Sequence, residues 1–221
     1  MNYEQMNNNK LQLIGEVVKE PVYTHEVFGE GFYETALSVP RLSQQRDIIP
    51  ITVSDRLLMR HSVKVGDKLN VVGQFRSYNK VDGAKSRLLL TAFVRDILEE
   101  DENANPNSIE ITGFICKPPV YRTTPFKREI CDVLIAVNRA YNKSDYIPCI
   151  MWGRNARFVQ NMQVGEKLTV TGRVQSRTYV KNLSPDEAEE RVAYEVSVSK
   201  IITDDARHNY NIEIASSVIE Q

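Results

Sequence analysis

The chain has 221 residues, of which 42% are hydrophobic and 26% charged, and its formal net charge is −1. That length fits one large domain or two of about 100 residues each, and no apolar run reaches the ~18–20 residues of a membrane-spanning helix. Cys116, Cys131 and Cys149 are odd in number and far apart, and His25, His61 and His208 are scattered, which excludes a disulfide framework or a metal site by spacing.

In chain order, the start MNYEQMNNNK has neither a basic region nor an apolar stretch, so no signal peptide is expected. Residues 1–8 read as a polar, mobile arm. The cysteines read as small buried hydrophobes in a reducing, cytoplasmic setting. A strand starts at Leu11. A Pro-Val-Tyr stretch follows at Pro21–Tyr23, with Pro marking an edge or the start of a loop. A strand around Leu37 leads to a polar hairpin tip at Ser43–Asp47, and a third strand covers Ile48–Val53. The segment Asp55–His61 reads as a short helix. Val65-Gly66-Asp67-Lys68 is a turn, with Gly66 as its turn residue. Strands at Leu69–Ser77 and Leu88–Ile97 close the unit.

The same order then recurs 98 residues later. Leu11-Gln-Leu-Ile-Gly15 aligns with Ile109-Glu-Ile-Thr-Gly113, and Lys19-Glu-Pro-Val-Tyr23 with Lys117-Pro-Pro-Val-Tyr121. Leu37–Arg41 aligns with Ile135–Arg139 and Asp47–Pro50 with Asp145–Pro148. After one inserted residue, Val65–Leu69 matches Val164–Leu168 and Gly73 matches Gly172. The period is too long for a solenoid and suits a duplicated domain. In the second copy the helix is expected over Arg154–Met162, with Ala156, Phe158 and Val159 as its apolar face. Ser184-Pro-Asp-Glu187 fits a capping box that opens a single helical turn before the last strand.

Each copy thus has five strands with a helix between the third and fourth, the order of an OB-fold barrel. An SH3-like barrel lacks the helix at that point. The expected fold is all-β: two tandem five-stranded OB-fold barrels, each with a short helix between strands 3 and 4. The expected domains are 1–98, an acidic linker at 99–106, a second barrel at 107–202 and an extension at 203–221. In that extension Tyr210, Ile212 and Ile214 alternate, as in an edge strand or an intersubunit contact. Charge follows these divisions: the two barrels are net +2 and +4, while the linker is −4 and the extension −3. Mildly basic barrels permit phosphate binding without demonstrating it.

The stretch Asp145–Tyr179 holds the single tryptophan, Trp152. Side chains alternate along a strand. Leu168, Val170, Gly172 and Val174 therefore face one way, and Thr169, Thr171, Arg173, Gln175, Arg177 and Tyr179 the other. Tyr146 and Trp152 share the parity of Arg154. Flat aromatic faces for bases and cations for the backbone are what sequence-independent single-strand binding requires. Each residue also has an ordinary structural role: Trp152 in a core, the tyrosines at a surface or interface, the arginines as solvated charges. No nucleophile motif, Gly-rich phosphate loop or Cys-x-x-Cys is present, so neither an enzyme nor a cofactor is expected. The acidic runs 99–102 and 186–190 are read as solvated segments.

Leu134–Arg139, Asp145–Arg154, Ala156–Val159, Val164–Leu168, Val170–Tyr179 and Glu195-Val196 together resemble, in order, bacterial single-stranded DNA-binding proteins. The resemblance spans nearly all of 107–202, and two OB domains per chain resembles a known variant of that family. It implies DNA-stacking roles for Tyr141, Tyr146, Trp152 and Tyr179, with Arg154 as a basic contact. Arg139, Arg173 and Arg177 complete the expected face. In the first copy the first three aromatic positions are Ser43, Ile48 and Ser54. There only Tyr78, after a one-residue shift, stands in for the last, with Arg56 and Arg76 as cations and a degenerate binding face overall. The family ends in a mobile tail with an acidic tip, whereas this chain ends ASSVIEQ, so another role is expected for the extension. The implied function is sequence-independent binding and protection of single-stranded DNA in replication, repair or recombination. The implied partners are single-stranded DNA, a second copy of the chain giving four OB domains per particle, and replication or repair proteins, with no membrane. An OB-fold assembly module with weak DNA binding is the alternative.

Overall fold

The computed structural model describes residues 7–82, 85–101, 103–184 and 187–202. The first half runs β1 (Asn9–Val17), β2 (Val22–Val27), β3 (Glu30–Pro40), β4 (Arg46–Ser54), α1 (Asp55–His61), β5 (Lys68–Asp82) and β6 (Lys85–Leu98). The second half repeats this as β7 (Asn107–Ile115), β8 (Val120–Thr123), β9 (Glu129–Arg139), β10 (Lys143–Trp152), α2 (Arg154–Val159), β11 (Lys167–Ser184) and β12 (Glu187–Ile202).

The pairing closes each half into an OB barrel. Strand β1 pairs with β5 along its first part and with β3 at its end, and β4 runs parallel to β6. In the second half β7 pairs with β11 and β9, and β10 runs parallel to β12. Side chains of period two fill each barrel: Leu13, Leu37, Ile49, Ile51 and Phe75 in one, Ile111, Ile135, Ile147, Met151 and Val174 in the other, all at 0% exposure. Each such side chain contributes about 1.5–3 kcal/mol by leaving water. The Pro-Val-Tyr stretches form the outermost strands, β2 and β8, which pair only with β3 and β9.

The barrels meet at β1 and β7, which pair antiparallel with Leu11 opposite Ile109. These two residues are each other's counterparts in the repeat, so the seam has the symmetry of a two-fold axis. The seam extends past the strands. The Ile14 N–H donates to the Pro106 carbonyl and the Thr112 N–H to the Asn8 carbonyl, both at 2.8 Å. Asn8 also donates from Nδ2 to the Asn138 carbonyl at 2.8 Å. Asn8 is therefore not part of a free arm, and the end of the acidic stretch is held against β1.

Helix α1 has the expected bounds and buries Leu57. Helix α2 is shorter than expected, ending at Val159; Ala156 and Val159 are buried, but Phe158 is 51% exposed. The helix is too short for a second apolar turn, so only two of its three apolar residues reach the core. No helical turn starts at Ser184, because Ser184 and Glu187 pair across the end of the β11–β12 hairpin, and continued pairing satisfies more backbone groups than one capped turn would. Pro185 and Asp186 lie outside the described residues, as do Tyr210, Ile212 and Ile214 of the extension.

Two glycines set the geometry beside the outer faces. A bulge interrupts β5–β6 at Gly73 and β11–β12 at Gly172. A Cβ at Gly73 would sit 2.0 Å from the Phe93 carbonyl oxygen, and one at Gly172 would sit 2.2 Å from that of Ser197. The backbones approach too closely there for any side chain.

Candidate nucleic-acid interface

On the second barrel the outward face of β10 presents Tyr146 and Trp152, 42% and 36% exposed, while Asp145, Ile147, Cys149 and Met151 point inward. The parity expectation for these two aromatics holds. Strand β12 lies between β10 and β11 in the sheet, so one strand separates the aromatic row from the basic row. A Greek key places strands that are close in sequence apart in the sheet. Strand β12 therefore supplies the floor between the aromatic and basic rows.

That floor carries Ser197 and Glu195. The Trp152 indole N–H donates to Ser197 Oγ at 3.2 Å, which fixes the ring at the surface. Glu195 is buried, accepts from Gln175 Nε2 at 2.8 Å and lies 3.7 Å from the Arg177 guanidinium. Arg173 donates to Gln175 Oε1 at 3.0 Å. Arg177 sits 5.9 Å from the Tyr179 ring centre. Arg173, Gln175, Arg177 and Tyr179 thus form one connected row, with one arginine held against a carboxylate. Arg154 is exposed at the start of α2. Tyr141 is 81% exposed at the β9–β10 turn, where it and Asn142 have φ of 60° and 54°, as a tight hairpin requires.

The first barrel has Ser54 where the second has Trp152, but its face is not empty of aromatics. The β4–β6 and β10–β12 pairings place Phe93 at the position of Ser197. The β5–β6 and β11–β12 pairings place Gln74 and Arg76 where the second barrel has Arg173 and Gln175. Both pairs are exchanged: serine with aromatic, glutamine with arginine. Arg76 lies over the Phe93 ring at 3.7 Å and donates to Gln74 Oε1 at 2.9 Å. Opposite Arg76 stands Thr91, whereas Glu195 stands opposite Gln175. Tyr78 occupies the place of Arg177, not of Tyr179, since the register after the one-residue insertion leaves no room for the expected shift. Arg56 is exposed on α1, 3.8 Å from Glu30.

Between the barrels two aspartates bridge in symmetric places. Asp47 Oδ1 accepts from the Ser176 N–H at 2.7 Å, and Asp145 Oδ1 accepts from the Ser77 N–H at 2.7 Å. Arg41 grips Asp47 with two bonds of 2.7 and 2.6 Å. Arg139 reaches Asp145 only at 3.4 Å, without an aligned hydrogen bond. Burial pushes the Asp47 carboxyl up, but the bonds from Arg41 and Ser176 outweigh it and hold the group below its usual range. Burial also pushes Asp145 up, and Ser77, Arg139 and Arg76 offset this only in part, so Asp145 stays raised.

Several residues of or beside the two faces were given no role from the sequence. Phe93, Glu195 and Ser197 sit on the last strand of each copy, whose place in the sheet is set by long-range pairing. Phe28 and Phe126 carried a readable signal: they are 98 residues apart, at the tips of the β2–β3 and β8–β9 hairpins. They are 105% and 88% exposed. Cys131 and Cys149 are buried as expected, while Cys116 is half-buried. Among the described residues no group of His, Cys, Asp and Glu is placed to hold a metal ion.

Residues 106–203 match the Single-strand binding protein family. Single-stranded DNA-binding protein 1 of Staphylococcus aureus (strain COL) is 35% identical over 80 residues, covering 33% of this chain and 48% of that protein. Single-stranded DNA-binding protein A of Bacillus subtilis (strain 168) is 32% identical over 80 residues, covering 33% and 46%. The chain thus spans about half the length of the curated relatives it matches. The wild-type single-stranded DNA binding protein from Thermus aquaticus superposes with a TM-score of 0.62 at 18% identity, over 88% of this chain and 91% of that one. At that identity the likeness concerns the fold alone, and it takes in both barrels. Residues 106–203 are therefore the part of the chain that is similar to the Single-strand binding protein family, and the first barrel repeats the fold of that part.

Proposed function

We propose that the chain is a non-enzymatic protein that binds and protects single-stranded DNA without sequence preference, in replication, repair or recombination. The observation that carries this reading is the outward face of the second barrel. There Trp152 and Tyr146 stand exposed on β10, beside a row of Arg173, Arg177 and Tyr179 on β11. Exposed rings accept any base by stacking, and arginines accept the phosphates. Tyr141, Arg139 and Arg154 extend the face, and Arg56, Arg76 and Tyr78 supply contacts on the first barrel. In this reading 1–98 and 107–202 are the two OB domains, 99–106 joins them, and 203–221 serves contacts outside the barrels. A second copy of the chain completes a particle of four OB domains in the cytoplasm, open to replication or repair proteins.

The single tryptophan makes the test direct. Titration with oligo(dT) at low salt quenches Trp152 fluorescence, and the affinity falls as salt rises because bound phosphates release counterions. A folded protein whose fluorescence does not respond would sink the proposal.

A further inference from the structure

The first barrel bears an open cleft of about 740 Å³ between its β2–β3 hairpin and its β4–β6–β5 face. Its floor is Phe93 with Arg76 lying over it at 3.7 Å. Tyr78, 45% exposed, forms one side and His25 another. His25 is stacked on Phe32, which in turn packs on Phe93 at 5.6 Å. Arg139 of the second barrel reaches the same cleft.

The charge balance favours an anion. Among the described residues Glu34 is the single carboxylate in the lining, against Arg76 and Arg139, and Asp145 lies behind the lining 3.4 Å from Arg139. Arg76 has Thr91 across the strand pair, where the second barrel has Glu195. Burial, together with repulsion from Arg139 and Arg95, pushes Arg76 down to about 10, with Asp145 opposing. An arginine kept against aromatic carbon, with no ion pair among the described residues, can take a phosphate or a base plane as its partner.

We propose that this cleft is a second nucleotide site: it takes a base of single-stranded DNA against Arg76, Phe93 and Tyr78, with the adjoining phosphate between Arg76 and Arg139. The inference rests on the proposed function of the second barrel and deepens it. The first barrel keeps a stacking floor at a different position, and the bound strand crosses from one barrel to the other past Arg139.

The test uses the full chain and separates the two readings. Trp152 quenching by oligo(dT) in the unaltered protein reports the second barrel alone. An oligo(dT) carrying scattered 5-iododeoxyuridine, irradiated in complex, marks whichever rings its bases touch. The expected result is a cross-link in the peptide containing Tyr78 or Phe93 as well as one in the second barrel. Phe93→Leu, which keeps apolar volume, and Arg76→Gln should each weaken binding about tenfold while the maximal Trp152 quench is kept. Quenching with no first-barrel cross-link, and with unchanged affinity in both variants, overturns this site and leaves the second barrel's function standing. No quenching at all overturns the second barrel's function, and this site with it. Should either variant melt early, the cross-link on the unaltered protein still decides.

Discussion

The two barrels share strand order, bulge glycines, bridging aspartates and exposed hairpin-tip phenylalanines, yet differ at the places of Trp152, Arg173, Gln175, Glu195 and Ser197. The second barrel places its large ring on β10 and an arginine, Arg173, early on β11 opposite Ser197, with Glu195 opposite Gln175. The first places its ring on β6 and its arginine two residues later, with Thr91 beneath. The difference teaches that a barrel's outward face can be rearranged without disturbing its core, because outward side chains bear on pairing and closure far less than inward ones do. It also shows that matching aromatics along an aligned sequence undercounts a surface whose aromatic has moved to a neighbouring strand.

The comparison can be broken or sharpened at four levels. The largest effect should be symmetric. Gly73→Ala and Gly172→Ala each force a Cβ against a backbone carbonyl at 2.0 and 2.2 Å, and each should cost about 4 kcal/mol in denaturant unfolding, at the top of the usual range for single substitutions. A tolerated alanine in one barrel alone would show that the bulges are not equivalent.

Next comes the bridge between barrels, where an asymmetric result is expected. Asp47→Asn leaves the tightly held Arg41 without its carboxylate and should cost about 3 kcal/mol, whereas Asp145→Asn should stay within about 1 kcal/mol. The pH dependence follows the same split. Asp47 lies below the ordinary range, so its contribution is present above the unfolded value of about 3.9 and is lost as pH falls through its lower folded value. Asp145 lies above the ordinary range. Its buried charge therefore costs stability near neutral pH, and that cost fades as pH falls through its raised value. As pH falls from neutral to ~4 the unaltered chain should accordingly gain stability relative to Asp145→Asn, read as the difference between their melting curves. A difference of the opposite sign would refute the assignment.

The third effect concerns the large ring. Trp152→Ala should weaken oligo(dT) binding by about 1–3 kcal/mol, measured by electrophoretic shift or calorimetry because the fluorophore is lost. Ser54→Ala at the matching place should leave affinity within about 0.5 kcal/mol, because Ser54 is buried and offers no ring for a base to stack on. Equal losses would erase the contrast between the faces. The smallest effect is at Glu195. Glu195→Gln keeps the shape and frees Arg177, so binding should tighten by about 1 kcal/mol and the salt slope should steepen. Weaker binding would mean that Glu195 positions Gln175 and Arg177 for the strand and does more than neutralise one of them.

Much of the molecule was readable in the chain itself. The repeat at 98 residues, the alternation through β11 and the Gly-Asp/Glu-Lys turns predict two five-stranded barrels with a helix after the third strand; both barrels are present, but the Pro-Val-Tyr stretch of each adds a sixth, edge strand, so the helix follows the fourth. Parity alone placed Tyr146 and Trp152 on one face, since a strand has a fixed period of two. Periodicity did not place β12 between β10 and β11, because the period states which way a side chain points and not which strand lies beside it. The helical turn expected at Ser184 failed for a related reason: a capping pattern is local, and continued hairpin pairing overrode it.

By itself, then, the sequence determined the fold, its duplication, and the second barrel's outward aromatics, all of which follow from local alternation and from likeness between segments. Only the tertiary structure decided that Phe93 takes the place of Ser197, that Arg76 lies on it, and that Arg139 crosses to the neighbouring cleft. Those relations depend on which backbones pair across the sheet and across the β1–β7 seam. Pairing between distant segments is settled by barrel closure and core packing, which join Gln74 to Phe93 within one barrel and Asn9 to Ile111 across the seam.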